Sequence, residues 1–419
     1  MEHLSFFAVA LFILAFGAIS RRIETTAITP PMLFVLFGYL IGPGALNLIH
    51  MEKDHHLIHL LAELTLVLVL FTDASRIDVT RLRKEHDIPV RMLALGLPMC
   101  MLFGALVALP LFPELDFWNA MVLAIVLAPT DAALGQAVVS SERVPIRIRQ
   151  ALNVESGLND GFALPVLLFF LCLAMHVESG HDNNFLKLAF LQLTLGPIAG
   201  IAIGYLGGKL VDWGHHSGWM SHAFIGLSSL GLALLSFAGA ELIGGNGFIA
   251  AFCAGAALGN TLREPCEALV EFGEAEGQLL TLLTFLFFGA LMVPPALPHI
   301  DLQTVVYAVL SLTAIRMIPT MISLWGMKLR PATIGFLGWF GPRGVASIIY
   351  GLLLLEEAEL QHRHMLFNVT VIVVLVSVIA HGLSAWPGVQ WYGGHIEQGP
   401  QAAEHKTVHH IPFRLGNKK

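Results

Sequence analysis

Charge is scarce in this chain. Only 13% of its 419 residues are Asp, Glu, Lys or Arg, where a soluble domain carries about 25%. That scarcity excludes a water-soluble globular protein, and the high apolar content excludes a disordered chain. Cysteine is scarce too. Cys100, Cys172, Cys253 and Cys266 lie in or beside apolar stretches with no paired spacing. They exclude a disulfide-rich secreted module and read as buried free thiols. What is abundant is apolar surface: 56% of the residues are hydrophobic and the mean hydropathy is +0.73. Forty glycines and 21 prolines in such a chain fit membrane helices, where both are commoner than in soluble ones.

An apolar run needs about 20 residues to cross the bilayer core. Thirteen runs qualify, at roughly 4–20, 30–49, 57–75, 90–112, 117–140, 150–177, 185–208, 220–239, 242–262, 275–296, 302–327, 332–355 and 365–387. The division between runs 8 and 9 rests only on Ala240 and Glu241. The first run resembles a signal peptide in length, but Arg21-Arg22 follow it where a small-residue cleavage site would stand. The basic residues test the count. With the N-terminus outside, eighteen of the 23 Lys and Arg fall in inner loops and the C-terminal tail. Only Lys53, Lys187 and Arg363 fall outside, while Arg316 and Arg343 lie within spans. This asymmetry supports thirteen spans, N-terminus out and C-terminus in. The chain is therefore expected to be an all-α polytopic membrane domain over residues 1–388. The tail, 389–419, is expected to be cytoplasmic and too small for a core, with no room for a regulatory module.

A charged side chain at the bilayer centre costs about 2.5–3.5 kcal/mol on insertion scales. Asp73, Asp131, Glu155, Asp160, Arg316 and Arg343 therefore ask for an explanation, with Glu63 and His381 as weaker cases. Span 6 opens with Asn153-Val154-Glu155-Ser156-Gly157-Leu158-Asn159-Asp160-Gly161. Spacing of i,i+4 puts Glu155 and Asn159 on one stripe and Ser156 and Asp160 on the next. Gly157 and Gly161 repeat at the same interval and admit another helix. Two acids little more than a turn apart repel unless a cation neutralises one. Arg316 in span 11 is the partner expected for Glu155, which leaves Asp160 as the free acid with the Ser156 oxygen beside it. A purely static network is the weaker reading, because apolar residues replace buried ion pairs without loss of stability.

Two spans should be broken. Span 5 carries Ala128-Pro129-Thr130-Asp131 and span 12 carries Gly338-Trp339-Phe340-Gly341-Pro342-Arg343-Gly344. Each proline removes a helical hydrogen bond and clashes with the carbonyl four residues earlier. Half-helix ends favour an anion at N-termini and a cation at C-termini, and Asp131 and Arg343 have the signs to balance them. Spans 5 and 12 differ by seven in the count. Spans 1–6 and 8–13 then form two inverted six-helix repeats with interrupted, crossing spans 5 and 12, the pattern that marks a transporter's midplane site.

These residues also carry a family resemblance. The stretches APTDAALGQAVV, NVESGLNDGFALP, GGNGFIAAFCAGAALGN and GWFGPRGVASIIYGLLL resemble the NhaP-type sodium/proton antiporters of the monovalent cation:proton antiporter-1 family. The resemblance covers nearly all of residues 4–387, and the Asn-Asp pair in ESGLNDG is its most specific element. It implies that Asp160 exchanges a cation for a proton with Asn159 as its signature partner, and that Ser156 and the Thr130 backbone supply ligand oxygens. It also implies a structural Glu155–Arg316 pair, with Asp131 and Arg343 compensating the half-helix ends. A homodimer is implied, its dimerisation bundle beside a moving six-helix core. There is one departure. The family often places an acid in span 3 directly after Leu-Phe, whereas this chain reads Leu70-Phe71-Thr72-Asp73-Ala74-Ser75-Arg76-Ile77-Asp78. Against Arg76-Ile77-Asp78, Asp73 stands one residue late, about 100° around the helix, so its place at the ion stays open.

Removing a carboxylate from water favours its neutral forms. Either a proton or a hard cation with oxygen ligands can supply that neutrality. If the protein crosses between inside-open and outside-open states only when Asp160 is neutralised, exchange is obligatory. One titrating Asp beside a neutral Asn suggests one proton per cation. The expectation is thus a plasma-membrane (inner-membrane) cation/proton antiporter. Its substrates are H+ and Na+, with Li+ and K+ as alternatives; no cofactor, catalytic residue or nucleic-acid partner is expected. Two rivals remain. A cation channel also uses broken helices and buried acids, though usually as rings about an oligomer axis. A zinc-binding or enzymatic role is suggested by His55, His56 and His59 in an outer loop and by His405, His409 and His410 in the tail. These histidines lie in a loop and the tail, with no Glu placed to act as a base.

Overall fold

Apolar runs bounded by proline, glycine and capping side chains become helices, and each run of the sequence carries one helix or two half-helices. The computed structural model describes residues 2–23, 26–48, 55–75, 87–179, 184–262, 267–356, 360–396 and 404. Helices are numbered here by the run they lie on. They are α1 (Glu2–Ile23), α2 (Pro30–Ile41), α3 (His55–Ser75) and α4 (Asp87–Leu111), then α5a (Phe117–Val126) and α5b (Gln136–Val139). The chain continues with α6 (Ile146–Ser179), α7 (Asn184–His216), α8 (His222–Leu242), α9 (Gly247–Thr261) and α10 (Glu267–Phe287). It ends with α11a (Leu302–Leu312), α11b (Ala314–Ser323), α12a (Pro331–Trp339), α12b (Val345–Glu356) and α13 (Arg363–Ile396). No strand occurs among the described residues. Among the described residues eight helical stretches, Leu302–Ser323 (α11a with α11b) one of them, are long and apolar enough to cross a bilayer, and shorter apolar helices sit among them.

Local chemistry sets the boundaries. Asp116 accepts the Asn119 N–H at 2.8 Å to start α5a, and Asp301 accepts the Thr304 N–H at 2.7 Å to start α11a. Between α8 and α9, Glu241 stays in the last turn of α8 and its carboxylate accepts the Gly247 N–H at 2.8 Å. Asn246 caps Ile249 at 3.0 Å. The division read at Ala240-Glu241 thus falls a few residues later. Two π turns, Met92–Gly96 in α4 and Phe288–Met292 after α10, each precede a proline, Pro98 and Pro294. Widening the helix there relieves the clash of the ring with the preceding turn. Run 11, read as continuous, breaks at Thr313. α13 runs on to Ile396, past residue 388.

The helices pack as two groups. In one, α9 is wedged between α3 and α7. Gly255 and Gly259 of α9 lie against the Phe71 and Ser75 carbonyls of α3, and Gly200 and Gly204 of α7 lie against Ala250 and Ala254. A methyl group at any of these glycines would strike backbone, so close approach fixes their identity. In the other group, α4 packs on α5a and α11b, α5a packs on α6, and α12b packs on α13. At the seam, α6 turns Gly157 toward Asp73 of α3 and Gly161 onto the Phe252 ring of α9.

Candidate ion-binding site

The two predicted breaks meet inside the second group. Helix is absent from 127–135 in run 5 and from 340–344 in run 12. Unwound backbone at this depth is tolerable only if its polar groups find partners in protein, and here each break satisfies the other. The Asp131 N–H donates to the Pro342 carbonyl at 2.8 Å. The Asp131 carboxylate accepts the Val345 N–H at 2.7 Å, at the start of α12b. Its other oxygen accepts Ala133 N–H at 2.6 Å and Leu134 N–H at 3.3 Å. Reciprocally, the Arg343 guanidinium donates to the Ala128 and Pro129 carbonyls at 2.6 and 3.2 Å, and the Ser347 hydroxyl donates to Val126 O at 2.7 Å. The anion sits at a half-helix N-terminus and the cation at a C-terminus, the arrangement the helix dipoles favour. Gly344 has to be glycine because a Cβ would collide with the Asp131 carboxylate, and one at Gly341 would collide with the Arg316 guanidinium.

α6 runs beside this crossing. One guanidinium nitrogen of Arg316, Nη2, meets both Glu155 carboxylate oxygens, at 2.6 and 2.8 Å, with the Glu155 and Arg316 side chains 2% and 1% exposed. The Thr130 hydroxyl joins α5 to α6: it receives the Asn159 amide at 2.6 Å and lies 3.2 Å from Ser156 Oγ. These Thr130 contacts run through the side chain, where the resemblance pointed to the backbone. Asp160 follows one turn after Ser156. Its Oδ1 is buried without a hydrogen-bond partner, and so is Asn159 Oδ1. Asp73 reaches this face of α6, since a Cβ at Gly157 would sit 3.9 Å from Asp73 Cβ. The charges of Asp73 and Asp131 both act on Asp160. Thr130 thus ties Ser156 and Asn159 together, Asp160 follows on the same helix, Asp73 faces Gly157, and Glu155 with Arg316 forms a closed pair.

The sequence did not single out Ser347 and Tyr350. The Tyr350 hydroxyl, fully buried on α12b, donates to the Asp160 backbone carbonyl at 2.8 Å. The signal available was hydroxyl residues three apart just after Gly-Pro-Arg-Gly. The histidine groups lie outside the described residues: the side chains of His55, His56 and His59, and all of His405, His409 and His410. Among the described residues no group of three or more His, Cys, Asp or Glu is placed to hold a metal ion. The residue types here, a carboxylate at Asp160, the linked hydroxyls of Thr130 and Ser156 and the Asn159 amide, are oxygen donors of the kind a hard cation takes.

Known proteins resemble this chain in sequence and fold. The model of the transmembrane sodium/hydrogen exchanger family matches residues 8–391. A K(+)/H(+) antiporter NhaP of Alkalimonas amylolytica is 26% identical over 408 residues, covering 96% of this chain and 69% of the relative. A K(+)/H(+) antiporter NhaP2 of Shewanella is 23% identical over 386 residues, covering 91% and 66%. The chain thus spans about two thirds of the length of these relatives. The sodium proton antiporter MjNhaP1 of Methanocaldococcus jannaschii has the same fold, with a TM-score of 0.75 at 20% identity over 94% of this chain and all of that one. With the family model matched from end to end of the helical domain, the chain belongs to the sodium/hydrogen exchanger family.

Proposed function

We propose that this protein exchanges a monovalent alkali cation for a proton across the membrane, with both competing for the Asp160 carboxylate. The observation that carries this reading is the contrast within α6. Glu155 is neutralised by Arg316, while Asp160 Oδ1 is buried with no hydrogen bond. A carboxylate with an oxygen buried and unpartnered needs a positive partner. A proton meets that need, and so does a cation completed by the Ser156 and Thr130 hydroxyls, but not both at once. Binding one expels the other. Alternating access driven by this neutralisation couples the two flows. Asn159 is neutral and holds Thr130, so the Asn-Asp pair contributes one acid and the exchange is one for one. Asp73, facing Gly157, joins the same site as a second-rank ligand, and Asp131 and Arg343 keep the crossing charge-balanced.

The proposal extends to a multi-pass inner-membrane protein, residues 1–388 forming the exchanger and 389–419 a tail, with the N-terminus outside and the C-terminus in the cytoplasm. It also includes assembly as a homodimer. Sodium is the cation of the first reading. Potassium is the second, favoured by relatives named K(+)/H(+) antiporters. Purified protein in liposomes with an imposed pH gradient tests both. Addition of Na+, Li+ or K+ should collapse the gradient with saturation, without current when the voltage is clamped by an ionophore. A conductive, non-saturating flux would identify a channel instead.

A further inference from the structure

His381 of α13 is buried at 1% exposure, and Ser377, one turn earlier, is fully buried. Neither takes part in the exchange chemistry above. Both touch the break in run 12. The Arg343 N–H, with no helical acceptor at the start of α12b, donates to Ser377 Oγ at 2.7 Å. Ser377 Oγ lies 3.2 Å from His381 Nδ1. His381 Nε2 lies 2.9 Å from the Trp339 carbonyl, at the last residue of α12a. The Trp339 indole N–H donates to Ser384 of the same α13 at 2.9 Å.

The donors fix the tautomer. Ser377 Oγ accepts from Arg343, so its proton is free to go to Nδ1. The ring proton is then on Nε2, where it meets the Trp339 carbonyl. The opposite tautomer would put Nδ1–H on the Ser377 carbonyl at 3.0 Å and leave the Nε2 lone pair facing a carbonyl oxygen. A continuous chain therefore runs from Arg343 N–H through Ser377 and His381 to Trp339 O. It replaces across residues 340–344 the hydrogen bonds that the helix lacks there.

We propose that Ser377 and His381 are positioning residues for ion binding: they bridge the two halves of run 12 and so set where Arg343 stands. The inference rests on the antiport reading. Arg343 holds the Ala128 and Pro129 carbonyls, and the next residue is Thr130, whose hydroxyl meets Ser156 and Asn159. A loosened bridge is thus transmitted to the ligand oxygens. Outer partners of this kind typically change ligand affinity by about 10–100-fold.

The test compares wild type with Ser377→Ala, His381→Leu and His381→Gln in liposomes, together with amide hydrogen exchange of residues 336–347. Gln retains a donor for Trp339 and an acceptor for Ser377. The expected result is a cation KM raised about tenfold in His381→Leu, less in Ser377→Ala, and largely restored in His381→Gln. The maximal rate should change less than KM, and exchange at Arg343 should quicken only where KM rises. Folded His381→Leu and Ser377→Ala with wild-type KM would overturn the proposal, even if their amides exchange faster. Should His381→Leu not fold, Ser377→Ala decides by the same criterion. Wild type without any cation-coupled proton flux would sink the antiport reading, while faster amide exchange in the variants would still support the bridge.

Discussion

Glu155 and Asp160 sit on the same helix, five residues apart, and meet opposite fates. The Glu155 carboxylate receives a guanidinium on both oxygens. The Asp160 carboxylate has a buried oxygen with no hydrogen bond, and another acid, Asp73, faces the same helix at Gly157. Sequence spacing makes the two look alike; the opposite helix tells them apart. Arg316 reaches Glu155 because α11 breaks at Thr313 and presents α11b to the crossing, and Gly341 leaves room for its guanidinium. A paired buried charge is fixed. An unpaired one demands a mobile partner, and that demand is what transport can use.

The sharpest way to break this contrast is to remove the demand. Asp160→Asn keeps size and polarity but cannot release a proton or hold a cation's charge. Cation-dependent proton flux should fall to background while the protein still folds and reconstitutes. Flux at the wild-type rate in this variant would mean the shared carboxylate lies elsewhere, with Asp73 as the next candidate.

The paired member should fail differently. Glu155→Ala strands Arg316 in the protein interior, a loss of about 3–5 kcal/mol for a buried pair broken on one side. The expected outcome is little folded protein and a low melting temperature. The double variant Glu155→Leu/Arg316→Met removes both charges, and such replacements are often neutral or better. It should regain thermal stability over Glu155→Ala. If Glu155→Ala is instead as stable as wild type, the pair is no structural lock, and the two acids are less different than their contacts suggest.

Much of this contrast could be read before any coordinates. The apolar runs place the helices because bilayer thickness sets a length that composition alone reveals. Pro129 and Pro342 mark the breaks because a missing N–H is a local property. Glu155 with Arg316 follows from charge balance. What could not be read depends on partners distant in sequence. The break at Thr313 has no proline at it. The hydroxyls of Thr130, Ser347 and Tyr350 acquire meaning only when runs 5, 6 and 12 cross. Whether Asp73 faced α6 turned on a one-residue register, and the packing against Gly157 depends on how α3 is rotated by its glycine contacts with α9.

Asn159 offers a way to narrow the contrast instead of breaking it. It is 1% exposed and donates to Thr130. Asn159→Asp would set a second acid beside Asp160. If one titrating acid makes the exchange one for one, this variant should carry net charge per cycle or slow down when the membrane voltage is left unclamped. A current recorded on a solid-supported membrane measures it. Unchanged electroneutral exchange would show that the charge at 159 does not enter the stoichiometry.

The smallest effect is expected at a third carboxylate, intermediate between the other two. Glu404 is buried against the N-terminus of α12a, where its Oε1 accepts the Arg330 N–H and the Thr333 hydroxyl, each at 2.8 Å. Its Oε2 is buried without a hydrogen bond. Burial pushes its pKa up, but the backbone N–H groups of Arg330 and of Glu404 itself, with the Thr333 hydroxyl, outweigh that and hold it below the ordinary carboxylate value. A depressed folded-state pKa means that the contact stabilises above the unfolded value and is lost as pH falls through the folded one. Glu404→Gln should therefore melt lower than wild type at neutral pH by the equivalent of about 0.3–1 kcal/mol, the usual worth of an anion at a helix N-terminus. The gap should close on acidification, because wild type then loses the same charge. A gap that stays constant with pH would assign the contact to packing and hydrogen bonding alone, leaving Asp160 as the carboxylate whose charge matters.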